Sequence, residues 1–339
     1  MALLTLALSG CQEEPLPQSG DTIRFSVAPA AVAAVETKAE KPDEESYLIH
    51  DGSEIGVWGS YKIGTGAWTD VFVPDDAAHP ELLKTVTCSQ PTADDPASWS
   101  YSVPRYWNRK GSYRFCAVFP TTAAVQDGSG SDKVIVNYPS LPGYDLMVAS
   151  SPLIDAATNG SDPVNLKFQH ASAAVRVLFA KAADDTKTYS ITGLTLQNIA
   201  VTGSMTYLGA SNDGGASVSW TPGALGNASP WTGNPWSVPA ATTSVPFAAI
   251  TTPEWIFTVP QDLDATSDTV FPALKVSYTV DGQPLEVTLN LKTARITEWV
   301  IGKAYTYKVM LNPNAIELTV EWTDWGTGGE DTLNTGKVW

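Results

Sequence analysis

Apolar and polar residues alternate with period two along most of this chain, which restricts it to folds built from half-buried strands. Val287, Leu289 and Leu291 alternate with Glu286, Thr288, Asn290 and Lys292. Tyr305, Tyr307 and Val309 alternate with Thr306 and Lys308, and Ile316, Leu318, Val320 and Trp322 alternate with Glu317, Thr319 and Glu321. Each run puts one face on a core and the other in water. Similar patterns predict strands at 23–27, 55–59, 84–88, 99–103, 113–119, 133–138, 174–179, 255–259 and 274–280. Turn chemistry separates them: Asp127-Gly128-Ser129-Gly130, Asn212-Asp213-Gly214-Gly215 and Asp281-Gly282. The last, between two alternating runs, predicts a tight two-residue hairpin. No segment carries a helical polar face. The Ala- and Val-rich stretch 28–39 reads as a strand running into an exposed, charged loop at 40–45.

The expectation is therefore an all-β protein, and 26 Gly and 24 Pro suit its many turns. A length of 339 residues fits two sandwiches of roughly 150 residues each. The polar break Asn159-Gly160-Ser161-Asp162-Pro163 predicts the junction, giving sandwiches at 46–163 and 164–325. Residues 1–11 form an export signal, 12–45 a tether, first strand and loop, and 326–339 a tail. Residues 221–243, rich in Gly, Pro, Asn and Ser, read as an insertion between strands.

The N-terminus reads as an address. Ala2 to Leu8 are nearly all apolar, and Leu8-Ser9-Gly10-Cys11 follows at once, although no Lys or Arg precedes the run. A stretch this short is a secretory signal, since a spanning helix needs about 20 apolar residues. Ser9-Gly10 before Cys11 resembles the lipobox of bacterial lipoproteins, where small residues admit the peptidase and the Cys sulfur takes the lipid. Gln12-Glu13-Glu14 behind it resembles the acidic signal that sends some lipoproteins to the cell face. The expected location is the outer membrane and cell surface, with attachment through lipid on Cys11 alone. The formal charge of −16 repels nucleic acid and anionic lipid.

Little in the chain suggests catalysis. His50, His79 and His170 lack metal-ligand spacing, and His170 reads as a packed, hydrogen-bonded side chain. No G-x-S-x-G elbow occurs, and Gly302-Lys303 is followed by Ala304, which is not a phosphate loop. The acidic turn 127–132 lacks the calcium-loop pattern. No enzyme activity and no cofactor are expected. Cys88 and Cys116 could pair in an oxidising compartment or stay as buried thiols. Trp99, Trp107, Trp220, Trp255, Trp299 and Trp322 read as core. Trp231 and Trp236 could stack on a sugar ring or pack down onto the sandwich.

Trp107 followed by Tyr113-Arg114-Phe115-Cys116-Ala117-Val118-Phe119-Pro120, then Asp145-Leu146-Met147-Val148-Ala149, then Leu166-Lys167-Phe168-Gln169-His170-Ala171-Ser172-Ala173, and then Trp299 to Tyr307 form an ordered set of blocks that covers nearly the whole chain. The set resembles fimbrillin-like proteins, the subunits of type V pili. The first two blocks are similar to one family strand and the next family block, the third to the opening of the second domain, and the fourth to its late strand. The resemblance implies two tandem transthyretin-like sandwiches with Greek-key connections and a structural, accessory or tip subunit that contributes to adhesion. It further implies that a trypsin-like protease cuts after the first strand, here at Lys38-Ala39, where the family more often has Arg. Loss of the strand carrying Ile23, Phe25 and Val27 would open a groove for a strand of a neighbouring subunit. Ile316, Leu318, Val320 and Trp322 are the candidate donor side chains. The partners so implied are other fimbrial subunits or a second copy, with host or bacterial surface glycans or proteins as adhesion targets. The alternative is a non-polymerising, glycan-binding surface lipoprotein using Trp231 and Trp236.

Overall fold

A computed structural model describes residues 20–28, 48, 52–72, 84–89, 98–121, 125–127, 133–142, 145–208, 217–231, 233–241, 247–249, 255–264, 266–267, 270–312 and 315–324. The protein is all-β. A four-residue helix, Ala156–Asn159, lies among the strands, and Asp155 caps it by accepting from Ala157 N.

In the first unit, seven strands close on themselves. In order around the ring they are Phe25–Ala28, Ser98–Ser100, Lys84–Ser89, Glu54–Ile63, Gly111–Phe119, Met147–Ser150 and Val164–His170, which returns to Phe25–Ala28. Closure leaves these strands without open edges, so the interior is filled from all sides. Ile55, Val57, Val86, Tyr113, Phe115, Ala149, Leu166 and Phe168 line that interior and are each almost fully buried. Gly59 lies opposite Phe115, and a Cβ there would meet the Phe115 ring at 2.4 Å. Glycine at this position lets the ring lie across its neighbour strand.

The second unit is a sandwich. A six-stranded sheet containing Ala173–Lys181, Lys303–Asn312 and Ala315–Asp324 faces a five-stranded sheet containing Tyr189–Ala200, Ala273–Val280 and Gln283–Asn290. Val175, Val177, Tyr307, Val309, Leu318 and Val320 from the first meet Ile191, Leu194, Leu196, Leu274 and Val276 from the second in one core. The Asp281-Gly282 hairpin forms as its sequence demands. Asp281 at φ 48° and Gly282 at φ 84° join Val280 and Gln283 as a two-residue turn.

A four-stranded sheet ties the units together. Val125–Asp127 and Lys133–Pro139 from the first half pair with Thr202–Leu208 and Ser217–Pro222 from the second. Its Ile135, Tyr138, Met205 and Tyr207 pack on Trp58, Cys116, Val118 and Val148 from the outer side of the ring. Tyr207 meets Trp58 edge-on at 5.7 Å and its hydroxyl donates to the Ala149 carbonyl.

The junction lies elsewhere than the sequence predicts. The polar break 159–163, which starts at the last residue of the helix, lies inside the first unit, because Val164–His170 belongs to the ring and pairs with Phe25–Ala28 and Met147–Ser150. The change of unit falls at Ala171-Ser172, between Val164–His170 and Ala173–Lys181. Both residues are buried and bonded: Ala171 N donates to Leu146 O at 2.7 Å, and Gly302 N to Ser172 O at 2.9 Å. A junction made of buried, hydrogen-bonded backbone has no polar signature to read. The expected insertion at 221–243 contains paired strands. Leu225–Trp231 and Trp236–Ser237 both pair with Tyr189–Ala200.

Candidate functional site

The most distinctive local arrangement is the seat of the first strand. Phe25–Ala28 runs parallel to Val164–His170 over four rungs, from Phe25 opposite Val164 to Ala28 opposite Lys167. On its other side a single bridge joins Phe25 to Trp99 of the antiparallel neighbour. The ordered strand thus begins two residues later than predicted, but Ile23 still packs inward at 1% exposure.

Aromatic rings form the seat. The Phe25 ring lies 5.5 Å from Phe115 in an edge-on contact, 5.8 Å from Tyr101 and 6.3 Å from Phe72. Phe72 and Tyr101 also meet edge-on at 5.5 Å, which closes the cage around Phe25. Val27 is partly buried against the same core.

A polar clasp holds the residues just before the strand. The Tyr101 hydroxyl donates to Ile23 O at 2.8 Å and accepts from Arg105 N at 3.3 Å. Burial raises the Tyr101 phenol above its ordinary range, which keeps the proton on the oxygen that donates. Ile23 N donates to Arg105 O, Trp107 N donates to Asp21 O, and Arg109 pairs with the Asp21 carboxylate. Arg24 reaches the other flank, its guanidinium donating to Ser161 O at 2.8 Å. The pairings of Tyr101, Phe72, Arg109 and Asp21 were invisible in the sequence, because each contact joins segments far apart in the chain.

The other expected site residues fall as follows. Cys11, Lys38 and Ala39 lie outside the described residues. Ile316, Leu318, Val320 and Trp322 belong to the last strand, Ala315–Asp324, which pairs with Lys303–Asn312 over ten rungs. Leu318 and Val320 are fully buried in their own sandwich, with Ile316 and Trp322 packed against it. That segment is an integral strand of its own unit and not a detached donor. Trp231 and Trp236 are partly buried against the same core, and Trp236 contacts Phe179 at 6.3 Å.

No disulfide joins Cys88 and Cys116. Cys88 faces the ring interior with Trp99, whereas Cys116 faces outward with Trp58 and Tyr207, so the sheet separates the two sulfurs. His170 is packed as expected, with its Nδ1 2.6 Å from the Asp145 carboxylate. Among the described residues no cluster of His, Cys, Asp or Glu could hold a metal ion.

Comparison with known proteins fits this architecture. The model of the family described as fimbrillin-like matches residues 37–325. The chain belongs to the fimbrillin-like family. Fimbrillin-like proteins are fimbrial and adhesion proteins, which makes this a cell-surface, exported chain from a family that is structural rather than enzymatic. Solved structures share its fold at low identity. A fimbrial protein from Bacteroides vulgatus superposes with a TM-score of 0.54 at 17% identity, covering 90% of this chain and 100% of that one. A proposed cell adhesion protein from Bacteroides uniformis gives 0.52 at 15% identity, covering 90% and 98%. No curated protein matches the sequence.

Proposed function

We propose that this fimbrillin-like protein is a structural, accessory or tip subunit that assembles by accepting a strand from a neighbouring fimbrial subunit. It travels as an outer-membrane lipoprotein with lipid on Cys11. A protease then cuts at Lys38-Ala39, and the strand carrying Ile23, Phe25 and Val27 leaves. One observation carries this reading: within a closed ring of strands, Phe25–Ala28 is held by four rungs on one side and a single bridge on the other. Its departure would turn a sealed ring into a groove with an unpaired edge on each wall and an empty aromatic cage between them. Such an edge recruits another strand, whose backbone completes the ladder while its side chains refill the pockets.

The test combines two measurements. Mass spectrometry of the surface-exposed protein should find a new N-terminus at Ala39. Protein trimmed at that site should form oligomers that grow with concentration. A mature surface protein that keeps residues 21–28, or trimmed protein that has lost them and stays monomeric at high concentration, would refute the reading. Cys11→Ala should abolish membrane attachment; a variant that still partitions as a lipidated form would remove the lipoprotein step.

A further inference from the structure

We infer that the cage around Phe25 selects the incoming strand, and that it selects an aromatic side chain flanked two residues away on each side by aliphatic ones. The occupant is a strand of a different fimbrial subunit, not the last strand of a second copy of this chain. This inference rests on the assembly by strand uptake proposed above and names the partner that the groove fits.

The resident segment is the template for the groove. Ile23, Phe25 and Val27 point to one face in the order aliphatic, aromatic, aliphatic, with exposures of 1% for Ile23 and 5% for Phe25. Phe115, Tyr101 and Phe72 approach the Phe25 ring from several directions at 5.5 to 6.3 Å between centroids. A cage of rigid rings cannot collapse onto a smaller side chain, so an aliphatic residue there leaves a void. The backbone requirement is different in kind. The Tyr101 hydroxyl and the Val164–Lys167 ladder recognise main-chain atoms and accept any sequence. Sequence preference therefore falls on the central pocket.

The chain's own alternating last strand fits this pattern badly. With Leu318 in the cage, flanked by Ile316 and Val320, the pocket is underfilled. With Trp322 there, the flanking positions are Val320 and Asp324, which puts a carboxylate where Val27 packs. A slip of one residue would turn the polar set, Glu317, Thr319 and Glu321, inward. Leu318 and Val320 are moreover already buried in their own sandwich.

The test uses protein trimmed after Lys38, freed of its first strand, with labelled synthetic peptides and fluorescence anisotropy. The peptide of residues 20–29 should bind. Its F25A version should bind about a hundredfold more weakly, the scale of losing a buried phenyl ring. F25W or F25Y should retain most of the affinity. The peptide of residues 314–323 should bind at least tenfold more weakly than residues 20–29. Equal binding by the F25A peptide or by residues 314–323 overturns the selection while leaving strand uptake intact. Failure of every peptide, including residues 20–29, overturns strand uptake and the selection with it. As a check from the groove side, Tyr101→Phe should weaken all peptides alike, because it removes the hydroxyl's bonds to backbone atoms and keeps the ring of the cage; a selective loss for the aromatic peptides would contradict that division of roles.

Discussion

The first and last of the described strands both alternate and bury one face, yet they are held in opposite ways. Phe25–Ala28 lies inside a closed ring but has four rungs on one side and one on the other. Ala315–Asp324 lies at the edge of its sheet but has ten rungs to its neighbour. Under the proposed assembly, position in the sheet therefore does not decide which strand leaves. Burial does not decide it either, since Phe25 and Val320 are both well inside a core. The difference lies in how much backbone pairing accompanies that burial. The last strand follows its partner Lys303–Asn312 after two residues in sequence, whereas the first is separated from the next described strand, Glu54–Ile63, by residues 29–53.

The sharpest test of this contrast is Val320→Asp. A carboxylate in the middle of the second core should destabilise that unit by about 5 kcal/mol, the scale of an uncompensated buried charge. Thermal or urea unfolding should show loss of the sandwich; a variant that stays folded and merely fails to assemble would mean the last strand is given away after all. Phe25→Ala should cost the untrimmed protein about 3 kcal/mol by emptying the cage. In protein already trimmed and freed of the strand the substitution is absent from the body, so that body should have the same stability whichever parent it came from. A difference there would place Phe25 in the folding of the ring itself.

Smaller effects probe the clasp. Tyr101→Phe deletes the hydroxyl that donates to Ile23 O and should cost about 1 kcal/mol, read by denaturant unfolding of the untrimmed chain. Arg109→Ala removes an exposed pair with Asp21 and should change stability by less than about 0.5 kcal/mol, with any effect vanishing at high salt. If Arg109→Ala proved the more damaging of the two, the clasp would be electrostatic and not the hydroxyl-to-backbone contact described here.

The amino-acid sequence by itself determined the strands whose alternation is unbroken, because alternation is a local property and a half-buried strand imposes it residue by residue. It determined the Asp281-Gly282 hairpin for the same reason, since two positive-φ residues suffice to reverse the chain. It also carried the ordered blocks that mark a fimbrillin-like protein. It failed on Tyr189–Ala200, the longest of the described strands, whose buried residues Ile191, Leu194, Leu196 and Ile199 are spaced by three, two and three. Register shifts near Gly193 and between Leu196 and Ile199 break the period there, and Asn198 takes a positive φ of 56°. Only the tertiary structure decided which edges meet: that Val164–His170 joins the first unit, that Lys133–Pro139 pairs with Thr202–Leu208, and that Cys88 and Cys116 face opposite sides of one sheet. It alone decided that Phe25 sits in a cage of Phe72, Tyr101 and Phe115. Strand pairing between distant segments depends on the complementarity of whole faces, and no short stretch of sequence contains both partners.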